Sequence, residues 1–379
     1  MVTNSPLKIC HLISGDLWAG AEVMAFHLLN SLRTLPGLDL HVILFNHGRL
    51  SEELQKAGIP VNVIDESKLS FPVTVKIAAK TVRKLAPHII HSHRYKENIL
   101  SYLISFVLQN NIALVSTQHG LPENYGSKPS LINRLKSKVN YGLLASRFDR
   151  VVAVSMDVKE SLTRDFGLQD KRVQVIRNGI VVPNTLRNSK IKDYFLIGSA
   201  GRFVPVKDYL FMIEIAREVT SKCPRIRFEL AGDGPLMVDI KDVIKQYRLE
   251  EYFALRGFLD DVSVFYEKLD VYLNTSLHEG IPMSILEAMA YGIPTIAPNV
   301  GGLKEIVTDG VDGYLLNTRN PKDFADKLLL LYENEKLRWK MAHAAREKIV
   351  CEFSTQQMAE NYVDMYLHLT GKNEQWKHQ

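Results

Sequence analysis

The sequence predicts an α/β protein of two tandem doubly wound, Rossmann-like domains, and three observations carry that expectation. The chain has 379 residues, more than one typical hydrophobic core holds. Short β-branched runs alternate with amphipathic segments, the rhythm of parallel strands covered by helices on both faces. The rhythm breaks once, over the polar stretch 180–192 with Pro183, Asn184, Asn188 and Ser189, and then restarts.

Taken in order, strand-like runs fall at 8–13, 40–45, 61–64, 88–91, 113–117, 150–154 and 173–176. Helical patterns fill the gaps, as at 21–32, 73–85 and 98–108, where apolar residues recur at helical spacing. After the break, strands are expected at 194–200, 227–231, 253–256, 271–275 and 294–297, and the C-terminal region reads as helical. Ser354 is expected to cap the last helix. The expected division is a first domain at 1–185, a second at 186–353, and a helix at 354–379 that crosses back to the first. Ligands of such sheets lie beyond the carboxyl ends of the strands, so two facing domains predict a cleft.

Composition narrows the class. Hydrophobic residues make up 46% and charged residues 23%, as in ordinary soluble domains. No apolar run approaches the ~20 residues of a membrane span. The short polar start before Leu7 is not the pattern of a signal peptide. Cys10, Cys223 and Cys351 are scattered and odd in number, which argues against a disulfide framework or a cysteine metal site. A cytoplasmic location follows as the expectation. The net charge of +5 is unevenly spread, with 22 Lys+Arg against 14 Asp+Glu in residues 1–185 and 25 against 28 in the remainder. A basic half beside an acidic half points to an anionic partner such as a membrane surface. Arg134, Lys136, Lys138 and Arg147 lie among Leu131, Ile132, Leu135, Val139, Leu143 and Leu144, either a basic helix on a membrane or a surface helix with a buried stripe. No nucleic-acid-binding motif accompanies the basic half, so nucleic acid is not expected as a partner.

The most informative window is Glu279-Gly280-Ile281-Pro282-Met283-Ser284-Ile285-Leu286-Glu287. A glycine-containing entry leaves backbone N–H groups available at a helix start, where anions bind. A carboxylate on each side offers acceptors to hydroxyl-rich ligands. Together they describe a site for something phosphorylated and polyhydroxylated, such as a nucleotide sugar. Ser284-Ile-Leu-Glu287 also matches a capping box, which leaves Glu287 a purely structural reading. Arg202 and Lys207 stand five apart in a strand-to-helix loop, so both can reach a diphosphate. The bland alternative there is a loop with solvated cations and Asp208 as a helix cap. Ser14-Gly15-Asp16-Leu17-Trp18-Ala19-Gly20 is a glycine-containing turn without the dinucleotide spacing. His119 ends the fifth strand, and His91 and His93 end the fourth. These three raise a metal site, against which ligand-binding or simply polar strand ends is the better reading. No Asp-x-Asp occurs, and no metal or cofactor is expected.

These residues together resemble family 4 of the retaining glycosyltransferases, of the GT-B fold, over nearly the whole chain. The most specific element is the pair Glu279 and Glu287 with seven residues between them. Gly201-Arg202 with Lys207-Asp208, the stretch Val175 to Gly179, Gly301-Gly302 with Glu305, and Gly310 with Gly313 add to it. Departures are the single glycine at Gly20, Arg177 before Asn-Gly, Val181 and Leu303.

The resemblance implies a role for each matching residue. Arg202 and Lys207 hold the donor diphosphate, Glu287 the ribose, and Glu279 with the amides of Gly280 to Ser284 the transferred sugar. Gly20 approaches the donor phosphates, His119 contacts the sugar near the reacting carbon, and the backbone at Arg256 and Gly257 receives the base. The implied activity is metal-independent transfer of a hexosyl group, with retained configuration, from a nucleoside-diphosphate sugar. UDP is favoured over GDP-mannose. The implied acceptor is a sugar or lipid-linked sugar in polysaccharide, lipopolysaccharide or glycolipid synthesis, at the inner face of the plasma membrane. The rivals are a sugar-nucleotide 2-epimerase of the same architecture and a non-catalytic sugar-nucleotide-binding protein.

Overall fold

The computed structural model describes residues 5–109, 111–120, 131–184 and 193–372. The chain divides into two compact units, one of residues 1–179 with 355–379 and one of residues 180–354.

The first unit holds seven parallel strands: β1 (Leu7–Ile13), β2 (Leu38–Leu44), β3 (Val61–Val63), β4 (Ile89–Ser92), β5 (Ala113–Gln118), β6 (Arg150–Ala153) and β7 (Val173–Val175). Their spatial order is β3-β2-β1-β4-β5-β6-β7. The order reverses between β1 and β4, which pair in parallel from Ile9↔Ile89 to Leu12↔Ser92. The helix Thr355–Thr370 belongs to this unit, and its Tyr362 and Tyr366 are buried and bonded to Thr117 and His91.

The second unit repeats the plan with six parallel strands. These are β8 (Phe195–Ala200), β9 (Ile226–Ala231), β10 (Phe253–Gly257), β11 (Val271–Leu273), β12 (Thr295–Pro298) and β13 (Gly313–Leu316), ordered β10-β9-β8-β11-β12-β13. Every residue of β8 is buried, as expected of a central strand covered on both faces. The helices Tyr209–Lys222 and Pro321–Glu333 pack Phe211, Met212, Ile215, Phe324 and Leu328 into the same core as Ile197, Phe228 and Leu273. Burying such side chains contributes roughly 1.5–3 kcal/mol each.

The strands expected from alternation are present, with ends moved by a residue or two. β13 was not expected. Residues 180–184 of the expected linker are irregular apart from a bridge at Ile180, and residues 185–192 lie outside the described residues. The last helix begins one residue after Ser354. The basic helix, Leu131–Arg147, has a buried stripe at Asn140, Tyr141 and Leu144, but Leu135 and Val139, expected within it, are exposed beside Arg134, Lys136 and Lys138. Leu131 and Ile132 lie outside what can be described at side-chain level.

Candidate functional site

In the second unit the strand order reverses between β8 and β11, and the loops after these two strands build one cluster. The β8 loop leaves the sheet at Gly201, whose N–H donates to Ala231 O (3.0 Å), and Phe203 N–H donates to Asp233 O (2.8 Å). Gly232 makes this crossing possible: at φ +127 its Cβ would stand 2.0 Å from Gly201 O. A short 3₁₀ turn at Pro205–Lys207 then carries Lys207 to the start of the helix Tyr209–Lys222.

The β11 loop is tied directly to this one. Leu277 N–H donates to Val206 O (2.8 Å) and the Thr275 hydroxyl to Lys207 O (3.0 Å). Asn274 Oδ1 accepts from Ser276 N–H (3.0 Å), which turns the chain. The result brings Lys207 Nζ to 2.6 Å from Glu279 Oε1, and the Ser276 hydroxyl donates to the same oxygen (2.6 Å). Both ionic side chains are mostly covered, at 19% and 12% exposure, so water screens the pair poorly. The Glu279 backbone is fixed as well, since Gly302 N–H donates to Glu279 O (2.9 Å). Gly301, at φ +54, presses so close that a Cβ would stand 2.1 Å from that carbonyl oxygen.

Glu287 lies in the helix Met283–Ala290 and takes neither half of a capping box. The N-cap is Pro282, with no side-chain cap bond, which makes Ser284 the second helical residue rather than the cap. Glu287 Oε2 instead accepts from the Tyr266 hydroxyl (2.6 Å). Burial raises the Glu287 carboxyl above its ordinary value, and the Tyr266 bond opposes that. Tyr266 is fully buried, stacked on Tyr291 and tilted against Tyr272. The Tyr272 hydroxyl in turn accepts from Ala200 N–H (3.2 Å) and donates to Ala200 O (3.1 Å), which anchors it to the end of β8. Asp208 is not a side-chain cap either: at φ +44 it opens the helix without a cap bond and pairs its carboxylate with Arg319. Arg319 also donates to Thr275 O (3.1 Å) and lies 4.3 Å over the Phe211 ring, so it staples both loops.

The structure thus gathers Lys207, Glu279, the 280–284 turn and Glu287 around the ends of β8 and β11, with Arg202 exposed in the same β8 loop. Gly257 joins them indirectly, because its carbonyl accepts from Gly232 N–H (2.7 Å). The Arg256 side chain does not join them; it pairs with Glu229 on β9. Ser276, Tyr266 and Arg319 escaped the sequence reading. Ser276 stands three residues before Glu279 in a loop, a visible signal, whereas Tyr266 is 21 positions from Glu287 and carries none.

Gly20 and His119 belong to the first unit. Gly20 opens the helix Gly20–Leu32 behind Ala19, which supplies no side-chain cap. In that helix's first turn Glu22, buried, stands 2.5 Å from Arg94. His119 follows β5 and His93 follows β4, with His93 Nδ1 and His119 Nε2 3.3 Å apart. His11, His91 and His93 bring ring nitrogens within 4.8 Å of one another, all buried.

Comparison with known proteins follows this division. Residues 18–182 match the model for Glycosyltransferase Family 4, and residues 183–348 match that for glycosyl transferases group 1. An uncharacterized glycosyltransferase of Methanocaldococcus jannaschii is 27% identical over 86% of this chain and 88% of its own. The Escherichia coli UDP-Gal:alpha-D-GlcNAc-diphosphoundecaprenol alpha-1,3-galactosyltransferase is 24% identical over 97% of this chain and 98% of its own. Among solved structures, Anabaena HepE in complex with UDP and glucose superposes with a TM-score of 0.82 at 20% identity, covering 95% of this chain and 99% of that one. That likeness shows a shared fold, GT-B.

Proposed function

The chain belongs to the group 1 glycosyltransferases, and from that premise we propose that it transfers a hexosyl group, with retained configuration, from a UDP-sugar to a sugar or lipid-linked acceptor. The observation that carries the reading is the knot of Lys207, Ser276 and Glu279, held by Gly301-Gly302 beside the uncapped helix start at Met283. Breaking the donor's glycosidic bond builds negative charge on the departing diphosphate. Arg202, Lys207 and the helix N–H groups supply positive charge and donors that need no rearrangement as that charge develops. Glu279 sets the position of Lys207 and offers its remaining acceptor capacity to sugar hydroxyls. Glu287, oriented by Tyr266, receives the ribose. Of the first unit's residues, the reading assigns His119 to the transferred sugar and Gly20 to the donor phosphates. The charge is assigned to these groups rather than to a divalent cation, so turnover is expected to persist in EDTA.

The HepE complex supports UDP as the donor's nucleotide, and the E. coli relative supports a lipid-linked acceptor. No helix among the described residues is long and apolar enough to cross a membrane. The exposed Leu135 and Val139 among Arg134, Lys136 and Lys138 support peripheral contact with anionic lipid. Co-sedimentation with anionic vesicles that is absent even at low salt removes that part of the reading.

The experiment is sugar transfer from UDP-glucose, UDP-galactose and UDP-N-acetylglucosamine by wild type and by Arg202→Ala, Lys207→Ala and Glu287→Ala. Arg202→Ala and Lys207→Ala are each expected to lose roughly 10²–10³ in turnover, the usual effect of removing one charge-stabilising donor, and Glu287→Ala to weaken donor capture through the ribose. Near wild-type rates in all three overturn the site. Interconversion of the UDP-sugar with no acceptor consumed favours an epimerase.

A further inference from the structure

At the strand-order reversal of the first unit stand four imidazoles. His11 lies on β1, His91 on β4, His93 just after β4, and His119 just after β5. They form two separate hydrogen-bonded strings. In one, His91 Nδ1 meets the Tyr366 hydroxyl (2.6 Å) and His91 Nε2 the Thr117 hydroxyl (2.8 Å), which in turn meets Tyr362 (2.9 Å). In the other, His11 Nδ1 is 3.1 Å from His93 Nε2, and His93 Nδ1 is 3.3 Å from His119 Nε2.

Burial keeps the second string uncharged. It pushes His93 down to about 3, and it holds His11 and His119 well below the usual imidazole range, with His93 adding to the effect on both. Three neutral rings bring one N–H each. A string with two N–H···N contacts then has only two polarities that avoid setting lone pair against lone pair or N–H against N–H. In one polarity the protons run from His119 towards His11, and His11 carries its N–H on Nε2. In the other they run from His11 towards His119, and His11 Nε2 is a bare lone pair. His11 Nε2 is buried and has no hydrogen-bond partner. A buried N–H without an acceptor is the rarer and costlier defect in folded proteins, so the second polarity is selected.

We propose that His11 and His93 are positioning residues that lock His119 as the neutral Nδ1–H tautomer, so that it meets the substrate as a hydrogen-bond donor and not as a base. His93 Nδ1–H occupies the His119 Nε2 lone pair, which leaves His119 no basic nitrogen to take a proton from an acceptor hydroxyl. What it offers is one N–H, suited to a sugar hydroxyl or phosphate oxygen. The placement of that oxygen rests on the donor-binding reading above; the tautomer does not.

The test is imidazole ¹⁵N–¹H correlation spectroscopy on the full chain with ¹⁵N-labelled histidine, the His119 signals being identified by their loss in His119→Gln. Expected is a protonated Nδ1 and a bare Nε2 on His119, unchanged from pH 8 to pH 5.5. His93→Asn, whose amide N–H can replace the ring N–H, retains this pattern. His93→Phe shifts His119 towards Nε2–H, makes it titrate nearer the ordinary value, and lowers kcat about 10- to 100-fold, as loss of an orienting partner does. A protonated Nε2 in wild type overturns the proposal, as does an unchanged His119 tautomer in His93→Phe. A metal-bound signature shared by His11, His91 and His93 also overturns it. Adding UDP-glucose separates the two ideas: a shift of the His119 Nδ1–H signal supports both, and a locked tautomer with no shift leaves the lock standing while removing His119 from the donor site.

Discussion

In both units the chain lays its first three strands outward in one direction, returns, and lays the rest in the other, so that β1 meets β4 in one and β8 meets β11 in the other. Such a reversal opens a crevice at the strand ends whatever the sequence is. What fills the two positions differs in kind. The first holds imidazoles, tyrosines and a threonine in two hydrogen-bonded strings, with His119 half-buried at the end of one and a single ion pair, Glu22 with Arg94, in the adjoining loop starts. The second holds ions: Lys207 with Glu279, Asp208 with Arg319, and the carboxyl of Glu287 on Tyr266. One topology therefore serves two chemistries, and the residues at the loop starts decide which. In the proposed reading the ion-rich position takes the diphosphate and the imidazole-lined one the reacting sugar.

The strongest way to break this contrast is at Gly301. In Gly301→Ala the new Cβ collides with Glu279 O in a backbone conformation that alanine rarely adopts. The loop must move, and Glu279 and Lys207 with it. We expect loss of transfer by at least about 100-fold with the first unit unaffected, because misplacing a charge-stabilising group costs about that much. Normal transfer in that variant separates the knot from catalysis.

The next test uses pH. His11, His91, His93 and His119 of the first unit are depressed, so below the ordinary value of 6.5 the unfolded chain takes up protons there that the folded chain refuses. Their neutral form costs nothing above that value, and stability falls as pH drops from about 6.5 towards the folded values, near 3 for His93. Each such group contributes a slope of up to about 1.4 kcal/mol per pH unit. Glu287 in the second unit is raised and acts with the opposite sign, as do the buried Glu22 and Glu97 of the first. His11→Asn leaves those carboxyls in place, so urea unfolding between pH 6 and 5 is expected to show a slope shallower by one proton than wild type. Equal slopes contradict the assignment of a neutral His11.

A smaller effect is expected at Tyr266→Phe, which keeps the stacking on Tyr291 and removes only the hydroxyl bonded to Glu287. Losing one hydrogen bond to a carboxylate costs about 1.5–3 kcal/mol. The donor KM is expected to rise roughly tenfold with little change in kcat. A fall in kcat alone places Glu287 at the reacting bond instead.

The architecture was legible because both sheets are central and parallel, and their strands are written as β-branched runs between amphipathic helices. β13 escaped because Gly313-Tyr-Leu-Leu is short and carries no β-branched residue. The site was half legible. Arg202, Lys207, Glu279 and Glu287 stand out because loop charges flanking a helix start have a spacing that can be read. Their partners do not, since Tyr266 and Arg319 arrive from distant elements. Ser284-Ile-Leu-Glu287 misled because the pattern of a capping box says nothing about where the helix starts, and Pro282 starts it earlier. The imidazole string was visible only as three histidines at strand ends; which of them touch depends on strand order, not on spacing.

The most direct measurement is backbone hydrogen exchange of the full chain with and without UDP. The account predicts slowed exchange at 201–208 and 276–287, the two loops that carry the charged cluster. Protection confined to the first unit, or no protection at those two loops at saturating UDP, contradicts it.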